Sequence, residues 1–154
     1  MKHQLELIQK TRYPNSLEGI VYSPNKYRDC NRGYKKQLGL AETLQILIGC
    51  DHTTEEGMEL AKRIEQLFKD RCAEFKQEYK LNFGVYYTPA ENLCYTAMKK
   101  FKEKYGAIPN VSDKDFFTNS MHVPVWKNID PFEKIDIESQ LTGYSSAGCI
   151  TYVE

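Results

Sequence analysis

Residues 82–105 read NFGVYYTPAENLCYTAMKKFKEKY. The run Asn82-Phe83-Gly84-Val85-Tyr86-Tyr87 is short, apolar and aromatic, as in a buried strand, and it stops at Thr88-Pro89-Ala90-Glu91. Those four residues predict a helix start: Thr88 as N-cap, Pro89 at the first helical position where a missing N–H is no loss, and Glu91 at the third, bonding back to the cap. Leu93, Ala97, Met98, Phe101 and Tyr105 continue an apolar stripe at helical spacing, and Gly106 supplies the stop. A strand, tight turn and helix in this order aim backbone N–H groups and the positive end of the helix dipole at the space beyond the strand. Such a start either cradles an anion, usually a phosphate, or is an ordinary solvated cap.

Outward from this stretch, the preceding segment predicts the longest helix. Thr53 to Glu56 offers a capping box, and Leu60, Ile64, Leu67, Phe68, Phe75 and Tyr79 carry one face through about seven turns. Lys62, Glu65, Lys69 and Glu78 form the opposite, solvated face. Before it, Leu38 to Ile48 reads as a short buried helix ended by Gly49. Leu17 to Gly39 reads as loop, with a basic, tyrosine-rich stretch from Lys26 to Lys36 in which Cys30 is the cysteine expected to be exposed. Met1 to Thr11 has a brief helical pattern, broken at Pro14.

Downstream, Met121, Val123 and Val125 alternate with His122, Pro124 and Trp126 at the period of a strand. Asp130-Pro131-Phe132-Glu133 repeats the device of N-cap, proline and glutamate, so that Phe132, Ile135 and Leu141 cover the core from a further helix. Ala147 to Val153 reads as a last strand, with no polar tail after it, as in a chain cut from a longer one. Strands alternating with helices imply a largely parallel sheet with helices outside it, an α/β class. Residues 38–154 form the domain and residues 1–37 an N-terminal segment of poorly defined structure.

Composition limits function. The 154 residues are 41% hydrophobic and 27% charged, with 21 basic and 21 acidic side chains, so no basic field exists to hold nucleic acid or a membrane surface. An anion site must be local. No apolar run approaches a membrane span and the first residues lack a signal-peptide core, so the expected compartment is cytoplasmic. Five scattered cysteines without a C-x-x-C pair, and three isolated histidines, suggest neither a disulfide framework nor a metal site. Cys94 and Cys149 read as small core residues.

Three separated stretches, Gly84 to Tyr95 (GVYYTPAENLCY), Val111 to Val123 (VSDKDFFTNSMHV) and Ser146 to Glu154 (SAGCITYVE), resemble in order and spacing the later part of the catalytic subunit of anaerobic (class III) ribonucleoside-triphosphate reductase. Leu38 to Glu42 is similar to that family's helix ahead of the long one. The resemblance implies part of a ten-stranded glycyl-radical-enzyme α/β barrel, with strands alternating with outer helices. It implies an enzyme that reduces ribonucleoside triphosphates to deoxyribonucleoside triphosphates by radical chemistry, with a glycyl radical, formate and zinc in the full-length family and none of them bound by this stretch. It also implies as partners the ribonucleoside triphosphate substrate, the remainder of the reductase chain and a radical-SAM activating enzyme. Thr88, Pro89, Ala90, Glu91 and Asn92 match the family's substrate-phosphate cradle; Asn119, Ser120 and His122 stand at the mouth of an expected barrel strand, near substrate or in a structural role.

No catalytic residue is assigned. The thiyl cysteine falls upstream of the resemblance and the radical glycine downstream, and Thr142-Gly143-Tyr144 follows Gln140-Leu141 rather than the Arg-Val of the radical loop, so Gly143 reads as a turn glycine. The competing function is a stand-alone nucleotide-phosphate binding or interaction module without chemistry, and severed barrel edges would favour self-association.

Overall fold

The computed structural model describes residues 20–23, 32–87 and 90–153. The helical pattern of Met1 to Thr11, Cys30, Thr88 and Pro89 lie outside them. In chain order the elements are β1 (Ile20–Ser23), β2 (Arg32–Lys36), α1 (Leu40–Ile48), α2 (Glu55–Tyr79), β3 (Asn82–Tyr86), α3 (Glu91–Tyr105) and α4 (Pro131–Thr142). The sheet order is β1-β2-β3, with β1 antiparallel to β2 and β2 parallel to β3. Arg32 pairs with Asn82 and Lys36 with Tyr86. The stretch read as loop thus supplies two strands: β1 is built of the strand formers Ile20, Val21 and Tyr22, whereas β2, poor in them, is paired on both sides. The fold is mixed α/β.

The long helix α2 runs 25 residues, and Thr54 rather than Thr53 caps it, its hydroxyl accepting from the Gly57 amide at 3.1 Å. Thr53 instead donates its hydroxyl to Asp51 Oδ1 at 2.6 Å, within the loop that folds over the helix start. That loop comes so close that a Cβ on Gly57 would lie 1.9 Å from the Asp51 carbonyl oxygen. Lys80 closes the helix in a left-handed conformation, turning the chain directly into β3.

One core cluster joins α1, α2, β3 and α4 through Leu40, Leu44, Met58, Ala61, Val85, Tyr87, Ile137 and Leu141. Leu67, expected inward, is exposed. Glu65, expected on the solvated face, is wholly buried: it accepts hydrogen bonds from Gln37 Nε2 at 2.6 Å and from the Tyr87 hydroxyl. A second cluster holds α3, where Ala90, Cys94 and Met98 meet Phe117, with Ala97 and Phe101 alongside. Leu93 and Tyr105 lie on the exposed side of α3, so the buried stripe is shifted by about one residue from the expected one.

The Met121–Trp126 alternation does not become a strand. Residues 121–124 are all buried, Ser120 takes a positive φ of 41°, and Asn119 makes a single bridge to Leu38. The segment's amides bond elsewhere: Thr118 N–H to Glu42 Oε1 at 2.9 Å, Val123 N–H to Glu138 Oε1 at 3.0 Å. Carboxylates from α1 and α4 replace a strand ladder.

Residues 147–153 run beside the end of β3 but bridge it only at Tyr87–Cys149, in parallel. The Ser146 hydroxyl accepts from Val85 N–H at 3.1 Å, and Gly148 adopts φ 131°, which interrupts a regular ladder. Gly84 permits this close approach, since a Cβ there would stand 3.0 Å from Ala147 Cβ. Cys149 is half-buried rather than buried. Asp130 caps α4 as expected, accepting from Phe132 N–H at 2.8 Å with Pro131 opening the helix. The buried face of α4 is Ile137, Glu138 and Leu141, whereas Phe132 and Ile135 are exposed. Gly143 ends that helix, and the Tyr144 N–H turns back to the Leu141 carbonyl. No helix among the described residues is long and apolar enough to cross a membrane.

Candidate functional site

The start of α3 opens on a cleft of about 600 Å³, within the range of nucleotide-sized sites. Glu91 and Asn92 form its floor from the helix, Thr118, Asn119, His122 and Val123 one wall, and Tyr95, Phe116, Val125, Trp126, Lys134 and Tyr152 the rest. The sequence-derived candidates Glu91, Asn92, Asn119 and His122 therefore come together, although two stretches separated by some thirty residues supply them.

Helix α3 begins at Glu91 with Ala90 as N-cap, two residues later than Thr88-Pro89 predict. Ala90 has no side chain to serve as cap. Asn119 substitutes for it from across the chain: its Oδ1 accepts from the Ala90 amide at 2.8 Å and from Cys94 Sγ at 3.2 Å. The Ala90 N–H is thus engaged, and its methyl group is buried. Glu91 stands at the first helical position, not the third, so it is too early to fold back as a capping-box glutamate. Its charge remains at the cleft, and the amides of Glu91, Asn92 and Leu93 have no carbonyl within their own helix to bond. Ser120 is fully buried behind the wall and does not line the cleft.

His122 is buried in the wall, its Nδ1 3.1 Å from Glu138 Oε2, while Nε2 has no hydrogen-bond partner among the described residues. Glu138 is itself wholly buried. Burial alone would raise its pKa, but the bonds from His122 and the Val123 amide outweigh that and hold it below the usual carboxylate value. Lys134, one turn earlier on α4, reaches within 4.0 Å of the same carboxylate and donates to the Tyr152 carbonyl at 2.5 Å. Behind this wall His52 is fully buried; burial depresses its pKa against the pull of Asp51 and Glu138, which keeps it a neutral core residue. Asp51 is held below its ordinary value: burial opposes ionisation, and the bonds from Lys127 and Thr53 more than compensate.

Lys134, Glu138, Trp126 and Tyr152 escaped the reading of sequence. For the first two a signal was present, since residues four apart in the helix opened by Asp130-Pro131 must share a face. Among the described residues no three His, Cys, Asp or Glu side chains converge as a metal site requires.

Residues 37–154 match the family model described as anaerobic ribonucleoside-triphosphate reductase. The protein of that name from Enterobacteria phage T4 is 40% identical over 117 residues, covering 76% of this chain and 18% of its own length. Those of Escherichia coli K12 and Salmonella typhimurium LT2 are each 34% identical over 119 residues, covering 76% of this chain and 17% of theirs. The chain therefore spans about one sixth of the length of these relatives.

Proposed function

The chain belongs to the anaerobic ribonucleoside-triphosphate reductase family, and we propose that the start of α3 holds the phosphates of a ribonucleoside triphosphate within such an enzyme. The observation that carries this reading is the convergence on one cleft of nucleotide size of a helix N-terminus, Asn92 and Lys134, whose ammonium is held by the Tyr152 carbonyl. Helix amides and a cation are the donors that anionic oxygens require, and the dipole adds to both. The proposed cradle also takes in Thr88 and Pro89, which precede Ala90 in the sequence. Ala90 contributes through its position: its amide, bound to Asn119, fixes where the following amides point. Glu91 is the opposing charge in the site, which selects for a ligand whose own charge is offset elsewhere.

In this reading β2, β3 and the extended residues 147–150 are neighbouring staves of a ten-stranded glycyl-radical barrel. The radical glycine, the thiyl cysteine, formate as reductant and the radical-SAM activating partner belong to the enzyme as a whole. The contribution of this stretch is to bind and orient the substrate tail, so that the ribose is held in one place while the radical chemistry is done by other groups.

Trp126 is the only tryptophan of the chain and lines the cleft, so its fluorescence reports on occupancy. Titration with tripolyphosphate or a ribonucleoside triphosphate is expected to change that emission saturably. Asn92→Asp adds charge at the second position of α3, where it favours the helix while repelling phosphate. The expected outcome is unchanged or slightly raised stability with affinity about fivefold to tenfold lower. Unaltered affinity in this variant would remove the helix start from the site.

A further inference from the structure

The cleft contains a second recognition element besides the donors at its helix end. His122 lies in the wall with Nδ1 against Glu138 Oε2 at 3.1 Å, and its Nε2 is buried without a partner among the described residues. Glu138 Oε1 is occupied by the Val123 amide, so the carboxylate faces the imidazole as an acceptor. In the neutral ring the proton then sits on Nδ1, and Nε2 carries a lone pair. Buried polar atoms of this kind are normally bonded, and an acceptor left alone here costs free energy that a ligand donor restores. Phosphate oxygens are acceptors and do not meet that need. The donors on a nucleotide nearest its phosphates are the sugar hydroxyls.

We propose that His122 is a specificity-determining contact for the sugar of the bound nucleotide, accepting a hydrogen bond from a ribose hydroxyl at Nε2, with Glu138 as the positioning residue that holds its tautomer. This rests on the phosphate reading given above and assigns the other end of the same ligand. Tyr152 packs its ring near the imidazole with centroids 6.3 Å apart, and it is half exposed on the cleft. Displacement of Tyr152 by the entering sugar opens the ring to its partner. On the sugar Glu138 acts through His122: in Glu138→Gln the Val123 amide still finds an acceptor, but the new amide donates to Nδ1 and moves the ring proton to Nε2, which turns the acceptor into a donor.

The test compares UTP, 2′,3′-dideoxy-UTP and tripolyphosphate by Trp126 fluorescence on the full 154-residue chain. Wild type is expected to bind UTP about fivefold to tenfold more tightly than the dideoxy analogue, the worth of one hydrogen bond to a buried acceptor. In His122→Ala and Glu138→Gln that gap closes, read within each variant as the ratio of UTP to dideoxy-UTP affinity; tripolyphosphate is titrated beside them, because Glu138→Gln also removes a negative charge 4.0 Å from Lys134 and is expected to tighten phosphate binding. Long-range proton–nitrogen spectra of the labelled wild-type chain give a readout that needs no variant to fold: the Nδ1–H tautomer of His122, with the Nε2 resonance moving on addition of UTP and not of tripolyphosphate. If tripolyphosphate binds but the hydroxyls make no difference in wild type, or the gap survives in both variants, the sugar contact is refuted and the phosphate site stands. If neither UTP nor tripolyphosphate binds, both readings fall.

Discussion

Glu65 offers the sharpest test of how this fold is held. Its carboxylate is fully buried between α2 and β3 and accepts two hydrogen bonds, from Gln37 Nε2 and the Tyr87 hydroxyl. Glu65→Ala leaves both donors buried and unbonded, at about 1–3 kcal/mol each, while relieving the cost of a buried charge, so a net loss of about 3 kcal/mol is expected. Glu65→Gln is different. The Gln37 carbonyl oxygen has no partner among the described residues, so a rotated Gln37 amide accepts from the new side-chain NH2 while Tyr87 keeps its acceptor.

Burial raises the Glu65 pKa more than its two hydrogen bonds lower it. The folded state therefore binds the proton more tightly than the unfolded one. Its contribution is fully present below the ordinary glutamate value and is lost as pH rises through the raised one. Glu65→Gln carries no such proton, so its stability relative to wild type should increase from acid to neutral pH, to about 1 kcal/mol or more. Urea unfolding followed by far-ultraviolet circular dichroism at several pH values measures both quantities. A Glu65→Ala variant as stable as wild type, or a Glu65→Gln difference flat with pH, refutes the argument.

Gly57→Ala must push a Cβ into the Asp51 carbonyl at 1.9 Å, and because that atom is backbone the loop over α2 has to move; a loss of about 3 kcal/mol is expected in thermal or urea unfolding. Asp51 has a lowered pKa, so its contribution is present above the ordinary aspartate value and lost as pH falls through the folded one. Asp51→Asn should cost about 1–2 kcal/mol at neutral pH and progressively less in acid, as read from the acid limb of the stability profile. Glu91→Gln removes the like charge at the cleft and should tighten tripolyphosphate binding severalfold by Trp126 titration; weakened binding would place the ligand away from the helix start.

Local patterns carried the reading of β3, α2 and α4, because each is written in neighbouring residues: an aromatic run, a 3.6-residue stripe, an Asp-Pro cap. The failures share one cause, which is a partner distant in sequence. Arg32–Lys36 has three cations and a glycine among five residues, and it is a strand because β1 and β3 flank it. Glu65 resembles its solvated neighbours until Tyr87, 22 residues on, is brought against it. The alternation at 121–126 is overruled because Glu138 reaches the Val123 amide, while Glu42 on α1 takes the Thr118 amide just upstream. The cap of α3 moved because an asparagine 29 residues away does the work expected of Thr88. At the cleft, residue identity was legible for Glu91, Asn92, Asn119 and His122, whereas the roles of Ala90 and Asn119 were not.

That last exchange bears on how the site is built. Segment 117–123 is fixed by three helices at once: Phe117 N–H bonds the Cys94 carbonyl of α3, Thr118 bonds Glu42 of α1 through both its amide and its hydroxyl, and Val123 and His122 bond Glu138 of α4. An irregular backbone would ordinarily belong on the surface, where water satisfies it. Here buried carboxylates satisfy it instead, which makes a non-repetitive wall as well determined as a strand would be. Asn119 then transfers that position to the Ala90 amide at the N-cap of α3, so the start of the helix and the His122 imidazole are set by the same short segment. Such a wall holds polar side chains at an angle a flat strand edge does not offer. The departure from β-structure between Asn119 and Val123 is accordingly what places His122 and Asn92 on a common cleft.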